Sequence, residues 1–468
     1  MSLKLYNSLV QNKVLFEPLN EREVGIYVCG PTVYDKGHLG HGRSMVAFDL
    51  IRRYLLFKGY NVKFVTNYTD IDDKMIERAN LRGITVATLA EEIIQLYERD
   101  FKALNILAPT VRPLATEYIE LMLQMVRKLM ADDIAYEIPG DGIYFDITKH
   151  KDYGCLSKQK LSELKAGARI DVVDEKRNPQ DFVLWKYEKP NEPTWSDSLG
   201  EIKAGRPGWH IECSAMTLAN LGETFDIHGG GADLIFPHHE CEIAQSEMFN
   251  HKQFVRYWLH NGYVRVDGEK MSKSLNNFQT LEDTFKSVDP LVVRMALITV
   301  NYRLPIDFNE ELLHQAAQNL AKIRDFVVRV DNFVIKAGED SFLDSLADYN
   351  QKLMQHLDDD LEMSKAWAVI FELIGEVNKL MLSKGLTEKE KAAILAWFSD
   401  IDRIFGCEFL ALLTTDVPSE VYALLGLRQQ ARANSDYAES DRLREQILAL
   451  GYTVLDGKDG QTLKKVLQ

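Results

Sequence analysis

The sequence predicts an α/β protein. Its core is a doubly wound, Rossmann-type parallel sheet split by an insertion, followed by a helical bundle and a small α+β C-terminal domain. Three observations carry this reading. Two strand–loop–helix–strand stretches lie far apart in the chain, and a segment rich in proline, tryptophan and charge separates them. Beyond Pro305 the strand signals give way to helical periodicity.

The first unit opens with the apolar run Gly25-Ile-Tyr-Val-Cys29, a strand that turns at Gly30-Pro31. From Arg43 to Lys58, Val46, Leu50, Ile51, Tyr54 and Leu55 recur at helical spacing, and Gly59 supplies a stop. Asn61 to Asn67 is the next strand, which closes a βαβ unit. From Thr110 to Gly205, helix mixes with short β-like runs such as Gly142-Ile-Tyr-Phe-Asp-Ile. The second unit runs from Phe225-Asp-Ile-His through Gly229-Gly-Gly to a helix opened by Pro237 and a strand over Tyr257 to Val266. Glu311 to Phe333, Phe342 to Ser383 and Glu388 to Phe405 have helical period and form a bundle. Helices over Val421 to Asn434 and Ala438 to Leu450, then a hairpin from Thr453, end the chain. The expected domains are 1–110 and 206–305 for the two halves of the split sheet, 111–205 for the insertion, 306–410 for the bundle and 411–468 for the C-terminal domain.

A chain of 468 residues has room for about three domains. A net charge of -15 excludes general coating of nucleic acid but leaves room for one RNA held at local basic patches. The N-terminus lacks a basic segment followed by an apolar one, and no long apolar stretch occurs, so a cytoplasmic protein without a membrane span is expected. Five cysteines fit reduced thiols, with Cys155, Cys241 and Cys407 as buried free thiols.

Cys29, Cys213, His238 and Glu242 have the chemistry of a Zn²⁺ shell: two thiolates, an imidazole and a carboxylate. His238 and Glu242 are spaced i, i+4 and share a helix side. Gly37-His38-Leu39-Gly40-His41-Gly42 lies between the first strand and first helix, where glycines admit a ligand and a helix N-terminus offers N–H groups to phosphate. Lys270-Met-Ser-Lys273-Ser follows the last strand of the second unit, where open α/β sheets bind ligands. Each loop has a plain alternative: a glycine-rich turn, and a solvated charged loop.

Together, His-Leu-Gly-His and Lys-Met-Ser-Lys-Ser resemble the two signatures of class I aminoacyl-tRNA synthetases, in order and setting. Tyr27-Val-Cys-Gly-Pro-Thr-Val-Tyr-Asp, Thr66-Asn-Tyr-Thr-Asp-Ile-Asp-Asp-Lys and Gly208-Trp-His-Ile-Glu-Cys-Ser-Ala-Met resemble the cysteinyl-tRNA synthetase family. So does Phe225-Asp-Ile-His-Gly-Gly-Gly-Ala-Asp-Leu-Ile-Phe-Pro-His-His-Glu, and the likeness runs over the whole chain. It implies activation of L-cysteine with Mg²⁺-ATP to cysteinyl-adenylate and transfer to the 3′ end of tRNA(Cys), by a monomer. It implies one Zn²⁺ on Cys29, Cys213, His238 and Glu242 that reads the substrate thiol. It also implies ATP at His38, Gly40, His41, Lys270 and Lys273, and the amino acid at Thr69, Trp209 and Asp233. His228 and His239 either flank the metal or are satisfied buried histidines. Arg428, Arg432, Tyr437, Arg442 and Arg444 put cations and an aromatic on two short helices, suited to anticodon bases or to plain solvation. One departure stands before Trp209: where the family has Pro-Trp-Gly, this chain reads Ser196-Asp-Ser-Leu-Gly-Glu-Ile-Lys-Ala-Gly-Arg-Pro. A rival reading, a cysteine ligase acting on a small amine, leaves the bundle and the Arg/Tyr-bearing tail without a use.

Overall fold

Four strands form one parallel sheet: β1 (Glu23–Val28), β2 (Asn61–Thr66), β3 (Phe225–Gly231) and β4 (Val255–Asn261), in the order β4-β3-β1-β2. Ile26 pairs with Phe64 on one side and Ile227 on the other. Strands distant in sequence thus become central neighbours, as in the doubly wound fold the sequence predicts. The computed structural model describes residues 2–159, 175–266, 269–270, 279–414, 418–434, 436–457 and 460–465. The chain divides into two compact units, one of Met1–Asp283, Leu297–Asn309 and Leu353–Trp367, the other of Thr284–Ala296, Glu310–Lys352 and Ala368–Gln468.

Within the first unit, helix α1 (Leu39–Phe57) follows β1, α2 (Val86–Ala103) follows β2, α3 (Trp209–Leu221) precedes β3, and α4 (Glu240–Asn250) precedes β4. The insertion folds as an antiparallel sheet, Ala135–Ile138, Gly142–Phe145, Phe182–Tyr187 and Gly205–Pro207 in that order. Trp185 is buried in it and its indole N–H donates to Lys203 O at 3.0 Å.

Three expected elements have other bounds, each for an identifiable reason. The strand expected over Tyr257 to Val266 is two, because the Gly262 N–H turns to Tyr302 O (2.9 Å), and Val264–Val266 pairs instead with Ile306–Asp307. The helix expected over Phe342 to Ser383 is two, Leu343–Asp358 and Met363–Ser383. Between them Asp360 and Leu361 both have positive φ. Asp360 is held there by the Tyr6 N–H (2.8 Å), the Tyr302 hydroxyl (2.8 Å) and Arg303 Nε (2.7 Å). Third, α1 starts at Leu39, four residues before the expected Arg43, because the His38 side chain caps it.

In the second unit, helices Glu310–Asp331 and Glu388–Phe405 meet through Phe326 and Phe398, ring centroids 5.3 Å apart. Helices Ser419–Ala433 and Tyr437–Ala449 and the hairpin Tyr452–Gly457/Gly460–Lys465 share a small core of Val421, Ile447, Tyr452 and Val454. Among the described residues no helix is long and apolar enough to cross a membrane.

Candidate active site

Cys29 follows β1 directly, and its N–H donates to Gly229 O of β3 at 3.1 Å. The next position admits only glycine, since a Cβ on Gly30 would lie 1.6 Å from Asn67 O. The Gly30 N–H instead donates to Asn67 Oδ1 at 2.9 Å, pressing the turn against the end of β2. Cys213 lies one turn into α3. Regular α4 begins at Glu240 and not at Pro237, because Phe236 is extended and the turn Ile235–His239 is wide. The i, i+4 pair still meets: His238 Nε2 is 3.0 Å from Glu242 Oε1.

The structure brings all four expected metal donors together. Their donor atoms lie within 4.8 Å of one another. Cys29 Sγ is 3.8 Å from Cys213 Sγ and 3.6 Å from Glu242 Oε1. A disulfide would need sulfurs about 2.05 Å apart. Tetrahedral coordination with Zn–S bonds of about 2.3 Å separates two sulfurs by about 3.8 Å, the spacing found. The donor set and its spacing therefore fit the ion.

The charges agree. Burial pushes the Cys29 thiol up, whereas the contact with Cys29 brings Cys213 down to about 6, so the pair holds one proton. Burial works against the charge on Glu242, but His228 and His238 hold it at about 2. Burial likewise opposes a charge on His238, and Glu242 and Cys213 outweigh it, raising the imidazole to about 10. A thiolate and a carboxylate thus draw positive charge to the centre of the cluster.

Cys29, His228, His239 and Glu242 form an overlapping second set of the same spacing. His228 Nε2 lies 2.8 Å from Glu242 Oε2 and orients that carboxylate. His239 places Nε2 3.4 Å from Cys29 Sγ and Nδ1 2.8 Å from His260 Nε2. Trp209 stacks on His238, centroids 4.3 Å apart. Thr69 is buried beside the Cys29 turn, with its N–H on Pro31 O (3.2 Å) and Asn67 Nδ2 donating to its hydroxyl oxygen (3.3 Å). Asp233 is half-buried in the turn Ala232–Leu234 that follows β3.

The turn between β1 and α1 is held by backbone N–H groups that donate to its two histidine rings. His38 Nδ1 accepts the N–H groups of Gly40 (3.0 Å) and His41 (3.4 Å), while His41 Nδ1 accepts the N–H of His38 (3.3 Å). A backbone N–H can only donate, so Nδ1 of each ring is an acceptor and the proton of each neutral ring is on Nε2. The two rings stack at 3.7 Å. Sequence reading places Gly40 and His41 in a loop, whereas both lie in the first turn of α1. Lys270 belongs to the two-residue strand Glu269–Lys270, and Lys273 lies outside the described residues.

Of the residues expected to meet RNA, Arg432, Tyr437, Arg442 and Arg444 are exposed, Tyr437 at 64%. Arg442 is paired with Glu439. Arg428 is buried, and its Nη1 donates to Gln461 Oε1 at 2.6 Å. Other positions carry weight that sequence reading overlooked. Buried Arg43, just past His41, spends its guanidinium on the carbonyls of Leu297, Asn301 (3.0 Å), Tyr302 (3.1 Å) and Leu304 (3.3 Å). Glu240 accepts the N–H groups of Gly154 (2.9 Å), Leu156 (3.3 Å) and Ser157 (2.8 Å), tying the insertion to α4. Asp197 organises the divergent loop before Trp209 by accepting the N–H groups of Leu199, Glu201 and Ile202 and pairing with Arg127.

Residues 15–318 match the tRNA synthetases class I (C) catalytic domain. Residues 352–409 match the DALR domain and 414–463 the cysteinyl-tRNA ligase anticodon binding domain. Among solved structures, Mycobacterium tuberculosis methionyl-tRNA synthetase in complex with methionyl-adenylate superposes with a TM-score of 0.59 at 17% identity, over 89% of this chain and 96% of that one. This sets the class, a class I aminoacyl-tRNA synthetase fold. The chain is 42% identical to the cysteine--tRNA ligase of Syntrophotalea carbinolica, over 99% of this chain and 100% of that one. It is 45% identical to the cysteine--tRNA ligase of Ectopseudomonas mendocina, over 99% of both. The chain belongs to the cysteine--tRNA ligase family of enzymes.

Proposed function

We propose that the enzyme activates L-cysteine with ATP at the carboxyl ends of β1 and β3, and selects it there by its thiol. The observation that carries this reading is the convergence of Cys29, Cys213, His238 and Glu242 on one point beside Thr69 and Trp209. A Zn²⁺ ion held by those four would supply a soft Lewis acid, which a thiolate satisfies and a hydroxyl does not. Shape alone separates cysteine from serine by only about 1–3 kcal/mol. Thr69, Trp209 and Asp233 hold the ammonium and carboxylate groups. The carboxylate attacks the α-phosphorus of Mg²⁺-ATP, pyrophosphate leaves, and a terminal ribose hydroxyl of tRNA(Cys) then takes the cysteinyl group as AMP departs. His38 and His41 donate from Nε2 to phosphoryl oxygens, and Lys270 and Lys273 follow the charge that gathers on pyrophosphate. Residues 411–468 read the anticodon with Arg432, Tyr437 and Arg442, and Arg428 supports that surface from within. We place the protein in the cytoplasm as a monomer, with catalytic halves at 1–110 and 206–305, the insertion at 111–205 and the bundle at 306–410.

The test is cysteine-dependent ATP–pyrophosphate exchange and charging of tRNA by protein of measured zinc content. Exchange with cysteine but not serine, at one zinc per chain, is the expected result. Exchange independent of zinc would overturn the role given to the four donors.

A further inference from the structure

Tyr97 lies on α2, outside the turn that carries the two histidines, and none of its surface is exposed. Its hydroxyl is 3.0 Å from His41 Nδ1, and its ring meets the His41 ring edge-on at 5.4 Å and 70°. Because Nδ1 already accepts the His38 N–H, it carries no proton, and the tyrosine hydroxyl is the donor. The ring comes so near the turn that a Cβ on Gly37 would lie 3.1 Å from Tyr97 Cε1, tighter than ordinary contact. Phe101 and Tyr68 pack on the ring's other sides, centroids 5.5 and 5.9 Å away. The phenol is thus fixed by packing before it meets the imidazole.

We propose that Tyr97 is a positioning residue for adenylate formation: it locks His41 in the tautomer and orientation that present Nε2–H to ATP. The His38 N–H meets Nδ1 at 3.3 Å, longer than an ordinary N–H bond to this acceptor. The phenol adds a shorter contact to the same lone pair, which reinforces the Nε2–H tautomer. This rests on the reading that His41 meets ATP.

The experiment compares Tyr97→Phe, His41→Asn and the double variant in cysteine-dependent pyrophosphate exchange. Phenylalanine keeps the packing and removes only the hydroxyl. Tyr97→Phe should lower kcat about 3- to 10-fold, the worth of one hydrogen bond, with the KM for cysteine and the zinc content unchanged. In the His41→Asn background it should cost nothing further, since its effect passes through that ring. Wild-type kcat in Tyr97→Phe beside a large loss in His41→Asn overturns the positioning role alone. An equal loss from Tyr97→Phe with and without the imidazole also overturns it, as general packing. Full exchange by His41→Asn removes the ATP reading and the proposal together.

Discussion

The thiol-lined cluster of the first unit and the basic helices at the end of the second present their polar groups in opposite ways. In the cluster, His228, His238 and Glu242 are essentially without exposed surface, and each donor is held by another polar group. On the C-terminal helices Arg432, Tyr437 and Arg442 stand in solvent, and the interior holds one further arginine, Arg428. A small ligand that must be told from a near-isostere needs a site fixed beforehand, where a wrong atom leaves a buried group unpaired. A loop of RNA brings its own large surface and can be met by side chains that order on contact.

The sharpest test of that contrast is Cys213→Ser. An alkoxide is not available at neutral pH, so zinc content should fall below one per chain and exchange should drop roughly 100-fold or more, since even residues that merely orient metal ligands are worth 10- to 100-fold. Elemental analysis and exchange kinetics on the same preparation check it. Truncation after Thr415 should act on the other side alone. Exchange should survive, while tRNA charging falls through a higher KM for tRNA; charging indifferent to the loss would break the comparison. Tyr437→Ala should show a fraction of that effect, roughly 5- to 100-fold in the KM for tRNA if the ring stacks on a base.

The two arginines sharpen it last. Arg428→Ala empties the buried space of the guanidinium and removes its bond to half-buried Gln461, and should destabilise the second unit by about 1–3 kcal/mol, read from its urea unfolding midpoint. Arg442→Ala should leave unfolding unchanged and only flatten the salt dependence of tRNA binding.

How much of this could be read from sequence differs by kind of feature. The parallel sheet and its split were legible in apolar runs and glycine turns, because these follow from local periodicity. The convergence of Cys29 with Cys213, His238 and Glu242 was legible only through family likeness, since no spacing along the chain encodes a meeting made by the β1–β3 register. The start of α1 escaped because histidine is not among the usual capping residues, yet the His38 ring accepts the same N–H groups that a serine or aspartate would. The breaks at Gly262 and at Asp360 escaped for another reason. Both helical and strand patterns continue through them, and distant partners, Tyr302 and Tyr6 among them, impose the interruption.

The separation of the cluster's members also orders events during folding. Cys29 and Cys213 are 184 positions apart, and Glu242 is 213 from Cys29. No local hairpin or helix can assemble these donors. Closing so long a loop repays its entropy only once β3 has docked on β1 and the intervening insertion has been set aside. A nascent chain therefore lacks the complete donor set until most of the first unit has left the ribosome, and an ion held by these four residues would seal a finished sheet rather than nucleate it.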